Sequence, residues 1–309
     1  MRVALAERLG GIDSVKLGER PDPAPAPGQA LVRVHGAGVG PWDVGFLGGG
    51  FPGVALPFVP GQEVAGVVEA AGEGADVQTG ERVYASLFPA GGGFAELALA
   101  SADRLALMPG RVSFPEAAGL VIGAGTAHEG LVDRGGLQPS ETVLITAAAG
   151  GVGSAAVQIA AALGARPLGV ASQDNYDYLR SLGASEVFDY HAADWVLQVR
   201  AAVPDGVDLL LDGAGGQTRE QAIGAVRDGG QVISIVLQGP PARLDRRITG
   251  ESFAAHVDRQ RLEALRRLAD TGKLRPQVEA VLPLDQAREA LARVAGRHTR
   301  GKIVLQIGQ

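Results

Sequence analysis

The chain has no cysteine among its 309 residues, and that absence removes disulfides, thiolate nucleophiles and cysteine-ligated zinc from consideration. Aromatic residues are scarce at 5%, and charged residues reach only 20%. A surplus of positive charge is missing as well, because 28 Lys and Arg stand against 34 Asp and Glu for a formal net charge of −6. Nucleic acid and anionic membranes select clustered positive charge, so neither is expected as a partner. Arg246-Arg247 and Arg266-Arg267 are too short and isolated to alter that. The longest apolar run, residues 117–127, is too short and glycine-rich to span a bilayer. The first residues, Met1-Arg2-Val3-Ala4-Leu5 and then Glu7, Arg8 and Gly10-Gly11, lack the apolar centre of a secretion signal, so a cytoplasmic location is the default expectation. Hydrophobic residues at 46% are ample for a core in one large or two medium domains.

Glycine is plentiful, and its most informative cluster closes the run Val143-Leu144-Ile145-Thr146-Ala147-Ala148-Ala149-Gly150-Gly151-Val152-Gly153. The aliphatic, β-branched start reads as a buried parallel strand, and residues 154–163 carry apolar side chains at helical spacing before Gly164. Strand, glycine turn and helix in that order predict a cradle for a diphosphate, set against a glycine-rich turn of an ordinary βαβ unit with no ligand. Gly150 and Gly151 are expected to allow the sharp turn and a close backbone approach, and Gly153 the tight seating of helix on strand. Helix-start amides, from Ala149 to Gly153, then offer donors and a partial positive charge.

Residues 1 to about 110 hold short strand-like runs (30–34, 63–69, 82–85, 94–98) between Pro and Gly clusters, which predicts a mostly β domain. Ser113 and Glu116 have capping-box spacing and open helical segments that close at Gly135-Gly136. Beyond them, candidate strands at 143–147, 167–172, 186–189, 207–212 and 231–236 alternate with helical stretches, the pattern of a doubly wound parallel sheet. Two amphipathic segments, 258–271 and 285–295, and a strand at 302–306 complete the chain.

This order and its local motifs resemble the zinc-independent quinone oxidoreductases, zeta-crystallin-like proteins included, of the medium-chain dehydrogenase/reductase superfamily. The resemblance rests on Pro27-Gly28, Gly38-Val39-Gly40-Pro41-Trp42-Asp43, Pro60-Gly61-Gln62-Glu63-Val64-Ala65-Gly66-Val67-Val68, Gly80-Glu81-Arg82-Val83-Tyr84, the glycine turn, Leu182-Gly183-Ala184, Asp189-Tyr190 and Thr299-Arg300-Gly301-Lys302-Ile303-Val304. It implies an α/β protein: a GroES-like β domain over residues 1–115, a Rossmann domain over 116–255, and a C-terminal return to the catalytic domain over 256–309, with the active cleft between domains. The implied activity is hydride transfer from NADPH to a quinone or related conjugated carbonyl, with tailoring of an aromatic polyketide-like metabolite as one setting. An enoyl reductase, and a redox-silent nucleotide-binding relative serving as sensor or cyclase, are the alternatives. Relatives often form dimers, so a homodimer is a mild expectation.

Departures from the family sharpen these expectations. Zinc-dependent relatives carry Cys and His in the segments matching Val39-Gly40-Pro41 and Gln62-Glu63, whereas here Gln62 holds the His place. His35, His128, His191, His256 and His298 are scattered, so no zinc site is expected. Many quinone reductase relatives have Asn where this chain has Gly40, a loss expected to widen the substrate pocket. At the ribose, Ser172 is neutral and small enough to admit a 2′-phosphate, but Asp174 stands where many relatives place Lys or Arg. NADPH is therefore expected first and NADH close behind, with Asn175 and Tyr190 as further cofactor contacts and core packing as the other reading of Tyr190. Asp43, the acidic residue nearest the implied nicotinamide, is a candidate catalytic residue, set against a purely structural anchor. Thr126 matches a position that begins a helix beside the nicotinamide, as cofactor or catalytic contact or as an N-cap. Trp42, Phe46, Phe51 and Phe58 could line the substrate as an aromatic wall, or else form core. Lys302 is a candidate cofactor contact, set against a solvated lysine at a strand end, and Gly239-Pro240-Pro241 a candidate loop over the cofactor. Tyrosine occurs only at 84, 176, 178 and 190, outside the 38–58 segment, which leans toward quinone-like acceptors over enoyl thioesters that benefit from a placed acid.

Overall fold

The computed structural model describes residues 1–236 and 247–308, and the Gly239-Pro240-Pro241 segment lies outside them. The chain divides into a β-rich unit (Met1–Ile122, Val257–Gly272 and Pro276–Gln309) and an α/β unit (Gly123–His256 and Lys273–Arg275).

The chain begins with an antiparallel ribbon of β1 (Arg2–Ala6) and β2 (Val15–Glu19). Then come β3 (Gln29–Val39), α1 (Pro41–Leu47), β4 (Glu63–Ala71), β5 (Arg82–Ser86), β6 (Leu97–Ser101) and β7 (Leu105–Leu107). β3 is the hub of this unit: it pairs antiparallel with β4 along most of its length and with β6 through its first half. Its valines and alanines alternate across a pleated surface that suits β-branched residues. Val32, Val34, Val64, Val83 and Leu105 are among its buried core residues, and burial of each such side chain contributes about 1.5–3 kcal/mol. The next helix, α2 (Phe114–His128), starts where the spacing predicts, because the Glu116 carboxylate accepts from the Ser113 amide at 2.7 Å while the Glu116 amide donates to Ser113 Oγ.

The α/β unit continues with β8 (Thr142–Thr146), α3 (Gly151–Ala162), β9 (Arg166–Val170), α4 (Tyr176–Ser181), β10 (Glu186–Phe188), α5 (Trp195–Ala202), β11 (Val207–Asp212), α6 (Gly216–Ile223), β12 (Val226–Ser234) and β13 (Thr249–Ser252). All six strands are parallel, in the order β10-β9-β8-β11-β12-β13. That is the Rossmann order, whose direction reverses between β8 and β11, the place where such sheets bind ligands at their carboxyl ends. Every residue of β8 is buried, which its Thr-Val-Leu-Ile-Thr sequence requires.

The return segment comprises α7 (Arg259–Asp270), β14 (Val278–Pro283), α8 (Ala287–Ala295) and β15 (Lys302–Gln306). β15 pairs antiparallel with β3, placing the C-terminal strand inside the sheet built by the N-terminal residues.

Candidate dinucleotide site and buried charge cluster

The polypeptide leaves β8 through Ala147 and Ala148 and enters α3 at Gly150, whose position as N-cap brings no side-chain hydrogen bond. The first amides of a helix have no intrahelical acceptor, so those of Gly151, Val152 and Gly153 stay available for an anion. The sharp turn is made differently from the expectation, however. Ala147 carries the left-handed backbone (φ 52°), and Gly150 is extended (φ −76°, ψ −179°). A Cβ on Gly150 would touch only Ala147 O, at an ordinary 3.5 Å, so the protein's own packing does not demand glycine there. The open space beside it fits a diphosphate. At Gly153 the protein itself sets the requirement, since a Cβ would stand 2.4 Å from Ala147 O and 2.6 Å from Ala148 Cα.

At the end of β9, Ser172 opens a short turn in which Asn175 Nδ2 donates to Ser172 Oγ at 2.9 Å, and Asp174 is exposed. Tyr190, after β10, is 41% exposed and lies 4.1 Å from the His191 ring, which overturns core packing as its role. Thr126 is buried in the last turn of α2, so it neither begins nor caps a helix as expected.

One group at the reversal point escaped the sequence reading. Asp212, fully buried at the end of β11, accepts from Thr146 Oγ1 (2.9 Å), Ser234 Oγ (2.8 Å) and the amides of Ala214 and Gly215 (3.1 and 2.9 Å). Arg219 comes only to 3.9 Å. An Asp closing the aliphatic run Leu209-Leu210-Leu211 at the carboxyl end of the strand was the available signal.

In the β-rich unit the motif residues converge on buried charges. Asp43, in the first turn of α1, accepts from the amides of Gly40 and Gly61, both at 2.9 Å. Complete burial pushes its carboxyl up to about 7 against the pull of those two amides, with nearby Glu63 adding to the rise and Lys302 opposing it. Both oxygens are thus held by backbone, the geometry of an anchor between α1 and the segment entering β4.

Lys302 is neither solvated nor reaching outward: its side chain is only 7% exposed. Its ammonium donates to Glu63 Oε1 and to Val39 O (3.1 Å) and lies 4.8 Å from the centre of a Trp42 ring. Glu63 Oε2 accepts from the Ile122 amide at 2.7 Å, so each carboxylate oxygen is satisfied. Gly38 makes room for this carboxylate, because a Cβ there would fall 2.4 Å from Glu63 Oε1.

The expected widening at Gly40 is also corrected, since the Trp42 indole packs into that space, 2.2 Å from where a Cβ would stand. The aromatic wall resolves mainly into core. Phe46 stacks on Phe51 (4.1 Å) and Phe58 (5.5 Å) and meets the edge of Phe88 (5.8 Å), with Phe46 and Phe58 buried and Trp42 and Phe51 flanking the cluster half-buried. Tyr84, whose hydroxyl donates to Leu262 O, is sealed inside this unit and pushed up by burial.

A zinc ion does not fit these residues. Gln62 is fully buried with its carbonyl accepting from the Gly91 amide at 3.2 Å, and Glu63 is committed to Lys302. Among the described residues no three His, Cys, Asp or Glu cluster as ligands.

Comparison with known proteins agrees with this geometry. Residues 26–110 match the family "Alcohol dehydrogenase GroES-like domain" and residues 182–305 the family "Zinc-binding dehydrogenase". The Rattus norvegicus "Synaptic vesicle membrane protein VAT-1 homolog" is 31% identical over 345 residues, spanning 100% of this chain and 84% of the relative. The Sus scrofa "Quinone oxidoreductase" is 31% identical over 315 residues, spanning 96% of this chain and 95% of the relative. A solved "NAD-dependent alcohol dehydrogenase" superposes with a TM-score of 0.93 at 30% identity over 100% of both chains. The chain belongs to the medium-chain dehydrogenase/reductase superfamily, in the group related to quinone oxidoreductases and VAT-1-like proteins. Its β-rich unit is the GroES-like domain and its α/β unit the Rossmann domain of an NAD(P)H-binding, zinc-independent oxidoreductase. Among the described residues no helix is long and apolar enough to cross a membrane.

Proposed function

We propose that this chain reduces a quinone or a related conjugated carbonyl with NADPH. The observation that carries the reading is the uncapped, glycine-flanked start of α3 at the reversal point of a parallel sheet. The amides of Gly151, Val152 and Gly153 bind the diphosphate, with Ala149 and Gly150 leaving the backbone open to it. Ser172 and Asn175 meet the adenosine ribose, and Tyr190 flanks it. Bound there, the reduced nicotinamide supplies the hydride. The half-buried Trp42 and Phe51 offer apolar faces for a planar acceptor. Conjugation lets the acceptor carry negative charge that water can neutralise, so the reaction needs no placed acid. Asp43, with both oxygens on backbone amides, keeps α1 in place.

NADH is the second reading, favoured by the exposed carboxylate of Asp174 where phosphate recognition gains from a cation. Titration with NADPH and NADH separately, followed by single-turnover oxidation with a panel of quinones, tests the proposal. Tight binding with rapid oxidation is expected. Tight binding without oxidation would point to a sensor or cyclase, and no response to either nucleotide at about 1 mM would remove the enzymatic reading altogether.

A further inference from the structure

β9 and β10 run side by side with Leu168 opposite Glu186 and Val170 opposite Phe188, and the Ala171 amide extends the pairing by donating to Phe188 O at 3.1 Å. The segments 172–175 and 189–191 therefore leave the sheet from neighbouring points on its carboxyl rim, where the adenosine ribose lies in such folds. The fixed charge of this rim is unfavourable to a phosphate. Asp174 and Asp177 are exposed, and the guanidinium of Arg180 is 3.7 Å from Asp177 and 5.7 Å from the centre of the Tyr176 ring.

His191 is the titratable group on the rim. Its imidazole is 63% exposed yet well fixed: Nδ1 bonds Asp189 Oδ1 at 2.8 Å, the backbone amide donates to the same oxygen at 2.9 Å, and the ring packs against Tyr190. With Nδ1 committed to Asp189, Nε2 is the nitrogen left for a ligand. We propose that protonated His191 reads the 2′-phosphate that distinguishes NADP from NAD, so that pH sets the cofactor preference of this chain. This rests on the dinucleotide reading of the site given above.

The groups around the imidazole are Asp189 and Tyr190, with Tyr176 against Asp189 and Asp174 on the adjoining turn. The His191 amide and ring hold the Asp189 carboxyl below its usual range, and burial beside Asp189 raises the Tyr176 phenol, so both keep their charge state through neutral pH. His191 is left to change. A phosphate dianion beside Nε2 pairs with the imidazolium and not with the neutral ring, so NADP affinity is strongest where the imidazolium persists and falls as pH rises. NAD lacks the phosphate and is indifferent to this proton.

Calorimetric titration with NADP⁺ and with NAD⁺ at about pH 6.5 and about pH 8.5 tests the assignment, the lower value lying above the second ionisation of the nucleotide phosphate. For the wild type, the preference for NADP⁺ over NAD⁺ is expected to shrink about tenfold across that interval, with proton uptake on binding NADP⁺ alone. His191→Gln should weaken NADP⁺ at the lower pH and flatten the ratio while leaving NAD⁺ affinity unchanged, which also shows that the site remains folded. His191→Arg should hold NADP⁺ tight at both values. A pH-independent ratio in the wild type, or a slope that survives in His191→Gln, overturns the role of His191 while the dinucleotide reading stands. Failure of both nucleotides to bind the wild type overturns both.

Discussion

In the β-rich unit the sealed carboxylate of Glu63 is answered at hydrogen-bond distance by a cation, whereas in the α/β unit the equally sealed carboxylate of Asp212 is answered at that distance by dipoles, with the Arg219 guanidinium farther off at 3.9 Å. Glu63 meets Lys302, 239 residues away, so one ion pair fastens the returning strand β15 to the interior of a sheet made by the first part of the chain. Asp212 meets two hydroxyls and two amides, tying together the ends of β8, β11 and β12 where the sheet reverses. The contrast shows two solutions to burying a charge. An ion pair leaves a full charge stranded when one partner is lost, but a carboxylate held by several dipoles loses them singly.

The largest expected effect tests that difference directly. Lys302→Met should cost about 3–5 kcal/mol in urea unfolding, because Glu63 remains buried without its counter-ion. Adding Glu63→Gln should recover much of that loss, and a double variant no more stable than the single one would break the comparison. Asp43 supplies the next test, since its folded carboxyl lies near 7 against an ordinary 3.8. Between those values the folded chain holds a proton that the unfolded chain has released. The stabilisation is complete below the lower value and is lost as pH rises through the higher, by at most about 1.4 kcal/mol per pH unit. Subtracting the Asp43→Asn profile from the wild type should isolate this slope, and a difference flat between pH 4 and 7 would refute it. In the α/β unit, Asp212→Asn should cost about 1–3 kcal/mol, part of it from leaving buried Arg219 without the counter-charge 3.9 Å away, and Ser234→Ala about 1 kcal/mol, the response of a charge held by several separate groups. A loss at Ser234 as large as that at Asp212 would contradict that picture. The smallest effect lies on the exposed rim, where Asp174→Lys should tighten NADPH about fivefold more than NADH by fluorescence titration. Equal changes in both would place this carboxylate away from the phosphate.

Local signals in the sequence carried much of this architecture. The capping box at Ser113 and Glu116 and the aliphatic runs of β8 and β11 depend on near neighbours, and all were legible. What escaped depends on distant partners. β13, Thr249-Gly250-Glu251-Ser252, has no apolar pattern and is a strand because β12 offers it hydrogen bonds. β3 runs to Val39, past the expected 34, through Gly36 and Gly38, whose lack of side chain reads as a break until Glu63 is seen to occupy the space at Gly38. Lys302 looked solvated for the same reason, as its partners Val39, Trp42 and Glu63 lie far back along the chain.

The indole of Trp42 occupying the side of Gly40 makes two positions into a single choice. Any residue with a β-carbon at 40 must evict the tryptophan, and eviction also strips the Lys302 ammonium of the aromatic face beside it. Gly40→Asn alone should therefore behave as a misfit, while Gly40→Asn together with Trp42→Val offers the backbone a consistent alternative. Tolerance measured at either position will therefore depend on the occupant of the other.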